Sequence, residues 1–215
     1  TPMATEFRPF WEAVDAGRTD GLTTVSYYGG AFDGRHVVFT PREDTEQYHS
    51  RVLRYDVAQP FRDPASWSAH DAGLPVSGQG SAFDGRYLYF PPGYASVPGK
   101  PFYEGQHSGK VLRLDSQGEF RDPRSYRVFD AAQLSPEAVC FDGGAFDGRF
   151  IYFVPLIHGI VARHDTQGEF EVADSWELYD GRHQGLGMNV GAVFDGRYLY
   201  FCAYGHSRMV RYDTR

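Results

Sequence analysis

Large apolar side chains recur at every second position over short runs. Val37 and Phe39, Leu88 and Phe90, Ile151 and Phe153, and Leu199 and Phe201 are such pairs. A period of two places each pair on one face of an extended strand, and no comparable stretch follows the 3.6-residue period of a helix. Each run follows an Asp-Gly step: "GGAFDGRHVVF" (29–39), "GSAFDGRYLYF" (80–90), "GGAFDGRFIYF" (143–153) and "GAVFDGRYLYF" (191–201). Asp-Gly between apolar runs predicts a tight hairpin with a type I′ turn. After a variable loop comes a third strand, "RVLRYD" (51–56), "KVLRLD" (110–115), "IVARHD" (160–165) and "RMVRYD" (208–213). A fourth follows in three of the copies, "SWSAHD" (66–71), "SYRVFD" (125–130) and "SWELYD" (175–180).

Four antiparallel strands recurring at this interval predict an all-β chain, a four-bladed β-propeller with four antiparallel strands per blade. The blades span about 24–72, 76–131, 137–181 and 186–215, the last completed by 6–16, so that 1–215 is a single domain. The last copy stops at Arg215 without a fourth strand. "EFRPFWEAVD" (6–15) matches "EFEVADSWELYD" (169–180), with Phe7 for Phe170 and Trp11 for Trp176, and is expected to close the C-terminal blade from the N-terminus. Closure would leave no open sheet edge. Gly29, Gly80, Gly143 and Gly191 begin the innermost strands, where blades crowd together and a side chain would clash.

The repeat resembles one found in bacterial tandem-repeat β-propeller proteins, read as FDGRYxYF followed by HGxVxRYD. The resemblance covers nearly the whole chain and implies a propeller without implying an activity. Function must therefore be argued from the site.

The formal charge of −7 and the absence of a basic run argue against nucleic acid as a partner. No apolar run reaches the roughly 18 residues of a membrane span, and no signal peptide opens the chain, so the expectation is a cytoplasmic protein with no membrane partner. Cys140 and Cys202 lie in different repeats, in apolar strand-like settings, and are expected to be reduced thiols.

The candidate chemistry lies in four histidines, His49, His107, His158 and His206, each just ahead of a third strand. All four belong to second-to-third-strand loops, which share one face of a propeller. Equivalent positions are equidistant from the axis, so four inward-turned imidazoles could surround one transition-metal ion. Iron is the first choice, with copper, nickel, zinc or manganese as alternatives. His107 stands one residue farther from its strand than the others. Carotenoid-cleaving oxygenases offer an architectural analogy, being propellers that hold iron through four axial histidines.

On this reading the chain is a metal-dependent enzyme, an oxidoreductase or oxygenase acting on a small molecule. His183 and Glu137 are the catalytic candidates, and Glu137 could also orient a ligating histidine. Tyr27, Tyr28, Tyr48, Tyr94, Tyr103, Asp142, Asn189 and Tyr204 would line the pocket or support the ligands. The alternative is a non-catalytic propeller that binds a glycan or a protein, its loop histidines bonded to backbone. The histidines recur in loops that otherwise diverge, which favours the metal. Asp33, Arg35 and Asp56 also recur fourfold and read as structural, which favours the alternative. The oligomeric state is left open by the sequence.

Overall fold

The computed structural model describes residues 11–215. The chain is all-β in character, with antiparallel strands joined by loops and short 3₁₀ turns. In the first repeat Tyr27–Phe32, His36–Pro41, Arg51–Asp56 and Trp67–Asp71 pair in chain order. The third repeat does the same with Phe141–Phe146, Phe150–Pro155, Ile160–Asp165 and Trp176–Asp180. The fourth contributes Asn189–Phe194, Tyr198–Ala203 and Val210–Asp213.

The second repeat divides in two. Ala82–Phe83, Tyr87–Phe90, Lys110–Asp115 and Tyr126–Asp130 form one sheet, and Val76–Gly78, Pro92–Ala95 and Gln106–His107 form another. The break falls at Pro91 and Pro92, which bring no N–H to a ladder. The long loop thereby acquires strands of its own. A two-stranded hairpin, Arg18–Thr19 with Leu22–Thr23, brings the number of sheets to six among the described residues, none closed on itself.

The four hairpins form at the Asp-Gly steps, but not as type I′ turns. Only the glycine has positive φ, from 99° at Gly196 to 104° at Gly148. The aspartate side chain instead accepts from two backbone amides. Asp147 Oδ1 takes the Arg149 N–H at 2.8 Å and the Phe150 N–H at 2.7 Å, while its Oδ2 takes the Tyr152 hydroxyl at 2.8 Å. Asp33, Asp84 and Asp195 bind their own turns in the same way. A carboxylate that satisfies two amides removes the need for the second left-handed residue. The arginine after each glycine reaches the aspartate ending the third strand, as in Arg149–Asp165 at 2.7 Å and Arg197–Asp213 at 2.7 Å. The fourfold Asp–Arg–Asp pattern is thus turn chemistry.

Sheets of successive repeats stack face to face, so the second strands of the second and third repeats are buried on both sides, whereas Tyr198–Ala203 of the fourth keeps alternating burial. Tyr89 and Tyr152 are as inaccessible as Leu88 and Ile151, and in those two repeats the alternation in sequence does not become an alternation in burial. Phe129 stacks on Trp176 at 4.3 Å between the second and third repeats, and His70 on Tyr126 at 4.6 Å between the first and second. Two of the four inner-strand glycines, Gly80 and Gly143, meet the expected crowding, whereas an added Cβ would make ordinary contact at Gly29 and meet open space at Gly191. A Cβ on Gly80 would lie 2.9 Å from the Gly143 Cα, and one on Gly143 would lie 3.0 Å from the Gly191 Cα. A further reason for glycine is its positive φ, 71–83° at all four positions.

Of the expected closing strand, residues 6–10 lie outside the described residues. Residues 11–16 are not in a strand and do not pair with Val210–Asp213. They lie against the first repeat instead. Glu12 pairs with Arg62 at 3.2 Å, and Val14 and Ala16 pack on the cluster of Leu53, Trp67 and Ala69.

Candidate functional site

The inner strands start at the end of the sheets opposite the Asp-Gly turns, beside the loops that carry the four histidines. The ladder slips register there, between Tyr27 and Gly30, Phe141 and Gly144, and Asn189 and Ala192. Each slip contains a left-handed glycine and re-aims the residue before it, as bulges do. The residues so placed are Tyr28, Asp142 and Val190, and Gln79 precedes left-handed Gly80 at the corresponding position of the second repeat.

Three of these meet. The Tyr28 hydroxyl donates to Asp142 Oδ2 at 3.1 Å, and the Gln79 amide donates to the same oxygen at 3.3 Å. Two repeats thus contribute one donor each to a single carboxylate of a third. Asp142 is 6% exposed, and burial pushes its pKa up. The Tyr28 pKa is also raised, by burial and then by the Asp142 charge.

The Arg42 guanidinium stands 4.7 Å over the Tyr28 ring but is engaged by Glu43 at 2.7 Å. Tyr204, exposed, is near enough to Tyr28 to affect its ionisation. Cys140, left-handed at φ 56°, lies buried with its sulfur 3.9 Å from the Gln79 Oε1, and burial pushes its thiol up to about 11. Cys140 and Cys202 are both free thiols. The result is a carboxylate held by neutral donors, bordered by tyrosines.

The four histidines are placed differently. His49 is 2% exposed, its Nε2–H donating to the Val25 carbonyl at 3.3 Å and its Nδ1 accepting the Arg51 N–H at 3.3 Å. His206 repeats this, with the Gly187 carbonyl at 3.0 Å and the Arg208 N–H at 3.2 Å. Both rings tie their loop to the segment leading into the inner strand of the same repeat, just before left-handed Ser26 and Met188.

His107 instead pairs opposite Tyr94 in the extra sheet, and its ring lies 6.3 Å from that of His158, which is exposed on a residue with φ 58°. Burial pushes the His49 and His107 pKa values down, the latter also through His158. Among the described residues no three His, Cys, Asp or Glu side chains group as metal ligands. Two imidazoles spend both nitrogens on backbone, so the four do not fit a common metal ion.

The remaining candidates fall outside the Asp142 cluster. Glu137 pairs with Arg182 at 3.0 Å rather than supporting a histidine. His183 lies in the exposed 3₁₀ turn Arg182–Gln184. Tyr27 donates its hydroxyl to the Arg51 carbonyl at 3.3 Å. Asn189 is buried and bonds the Cys202 carbonyl at 3.2 Å and the Gly187 amide at 3.0 Å. Tyr48 stacks on Tyr94 at 5.7 Å beneath Phe102, and Tyr103 is exposed.

No protein-family model matches this chain, and no curated protein sequence matches it. Similar solved structures include hydrazine synthase of Kuenenia stuttgartiensis, with TM-score 0.55 and 12% identity, covering 86% of this chain and 57% of that one. A nidogen/laminin complex (TM-score 0.48, 16% identity, 80% and 54%) and glutaminyl cyclase of Myxococcus xanthus (0.48, 11%, 87% and 65%) are also similar. The chain thus spans between about half and two thirds of the length of these structures. The likeness to hydrazine synthase concerns the fold alone, an all-β, propeller-like arrangement of antiparallel sheets.

Proposed function

We propose that this chain is a four-bladed propeller acting as a binding module, which holds a hydroxyl-rich ligand such as a saccharide at the Asp142 mouth. The observation that carries the reading is the convergence of Tyr28 and Gln79, from two repeats, on one buried oxygen of Asp142 in a third. A buried carboxylate with neutral donors can accept hydroxyl protons in their place, and a saccharide leaves no net charge to be neutralised. Tyr28 and Tyr204 offer rings for the apolar face of a sugar. The propeller contributes position, because each inner strand delivers one side chain to the same end of the axis. In this reading His49 and His206 fix their loops beside the mouth, and the aromatic stack of Tyr48 and Tyr94 stiffens the long loop beside it. No catalytic step is assigned.

Calorimetric titration with a panel of neutral and charged saccharides tests this. A neutral sugar should bind, with affinity reduced about tenfold or more by Asp142→Asn, as expected for loss of one charged-group hydrogen bond. Binding unaltered by Asp142→Asn, or no binding across the panel, would overturn the reading.

A further inference from the structure

The fourth repeat ends in a sheet edge, Val210–Asp213, that has no outer partner among the described residues. Beside it, between the third and fourth repeats, runs a cleft of about 280 Å³, whose lining includes Tyr152, Val161, Tyr179, Phe201 and Val210. At the other two seams this place is filled. The fourth residue of one outer strand, His70 or Phe129, is covered by the first residue of the next, Tyr126 or Trp176. Tyr179 holds the corresponding position in the third repeat and is 52% exposed.

We infer that the cleft and the Val210–Asp213 edge form a receptor for residues 11–15 of the same chain, with Trp11 seated on Tyr179. The segment "WEAVD" carries the outer-strand pattern of "WELYD" (176–180), and its first residue, Trp11, is 81% exposed. Two contacts of an outer strand with the following repeat are already made. Glu12–Arg62 at 3.2 Å reproduces Arg127–Glu171 at 3.2 Å, and Val14 packs against the cluster that contains Trp67, as Phe129 packs on Trp176.

The charges agree as well. The third repeat sets Arg163 opposite Glu177, and the same register sets Arg211 opposite Glu12. It also sets Met209, 66% exposed, opposite Val14, in the place where Val161 lies opposite Tyr179. One feature differs from the other repeats. Six residues separate Phe61 from Trp67 and Phe170 from Trp176, and each indole donates to that phenylalanine's carbonyl, whereas Phe7 and Trp11 are four apart. The inference therefore rests on residues 11–15. It deepens the four-bladed reading and is independent of the ligand.

The register places Ala13 opposite Val210, as Leu178 is opposite Ala162. The full chain carrying Ala13→Cys and Val210→Cys, mildly oxidised and peptide-mapped, should yield a monomer with a 13–210 disulfide. A disulfide joining two chains would overturn the own-chain occupant and give the strand to a second copy. Both thiols open to alkylation, with no disulfide, would overturn the receptor itself. An independent measurement uses the chain without added cysteines. Trp11→Ala should lower the thermal midpoint by several degrees and Trp11→Phe by much less, while equal midpoints for Trp11→Ala and the parent would also overturn the proposal. Failure here leaves the saccharide reading standing, because that is judged by titration at Asp142.

Discussion

Replacing Gly80 with alanine puts the stacking of inner strands under direct strain. The new Cβ would stand 2.9 Å from the Gly143 Cα and 3.2 Å from its nitrogen, on a backbone with φ +76°. Both neighbours are main-chain atoms and cannot rotate away. Gly85 separates the two costs, because it has φ +103° but no heavy atom within 4 Å of an added Cβ. Gly85→Ala should therefore cost only the left-handed penalty, about 1–2 kcal/mol. Gly80→Ala adds overpacking of about 1–3 kcal/mol, for a total of about 2–5 kcal/mol. Urea unfolding followed by tryptophan fluorescence measures both, and an unchanged slope would locate the effect in stability. At this chain length the thermal midpoint of Gly80→Ala should fall by roughly 4–20 °C. Equal losses from the two variants would refute the claim that neighbouring repeats touch through their backbones at this point.

The histidines should also differ among themselves. His49→Ala empties a buried position and leaves the buried Arg51 N–H without its acceptor, and should cost about 1–3 kcal/mol, whereas His158→Ala at an exposed position should stay within about 0.5 kcal/mol, both read by urea unfolding. His164 is wholly buried among Tyr89, Phe170 and Trp176, and burial pushes its pKa down to about 4. The unfolded chain then binds more protons than the folded one between pH 6.5 and 4, so this contribution is complete above about 6.5 and is lost as the pH falls, by up to about 3 kcal/mol. Urea midpoints across that range should show the slope, and a flat profile would contradict it. Asp147→Ala removes the acceptor of two backbone amides and should cost about 1–3 kcal/mol, against about 1 kcal/mol or less for Arg149→Ala, which breaks an exposed ion pair and a contact over the Phe150 ring.

The repeats were legible because their period-two runs and Asp-Gly steps are local signals, and every repeat forms its hairpin where those signals lie. The turn type was not legible. The Asp147 carboxylate competes with the backbone for the same amides, and dipeptide preference does not contain that competition. The second repeat's division follows from Pro91 and Pro92 within a long inserted loop that recruits Gln106–His107 as a strand, which sets His107 opposite Tyr94 rather than on the backbone of its own repeat. Equal spacing placed the histidines on one set of loops but could not say whether the rings turn inward or back onto their own backbone. Asp142 and Tyr28 were found in sequence as same-face residues. Gln79 was missed, although aligning the residue before each inner glycine gives Tyr28, Gln79, Asp142 and Val190, polar in three of the four repeats. Arg42 gave no signal, because its place over Tyr28 depends on how the loop folds back.

The central claim is that His49 and His206 hold their loops rather than a metal and leave binding to the Asp142 mouth. Nitrogen-15 spectra of the imidazoles, recorded before and after one equivalent of zinc, test it most directly. The account predicts neutral His49 and His206 in the Nε2–H tautomer, with Nδ1 accepting from Arg51 and Arg208, and no change at either on adding metal. Loss of that tautomer at both residues, together with metal-bound shifts at His107 and His158, would contradict it and establish a shared metal centre.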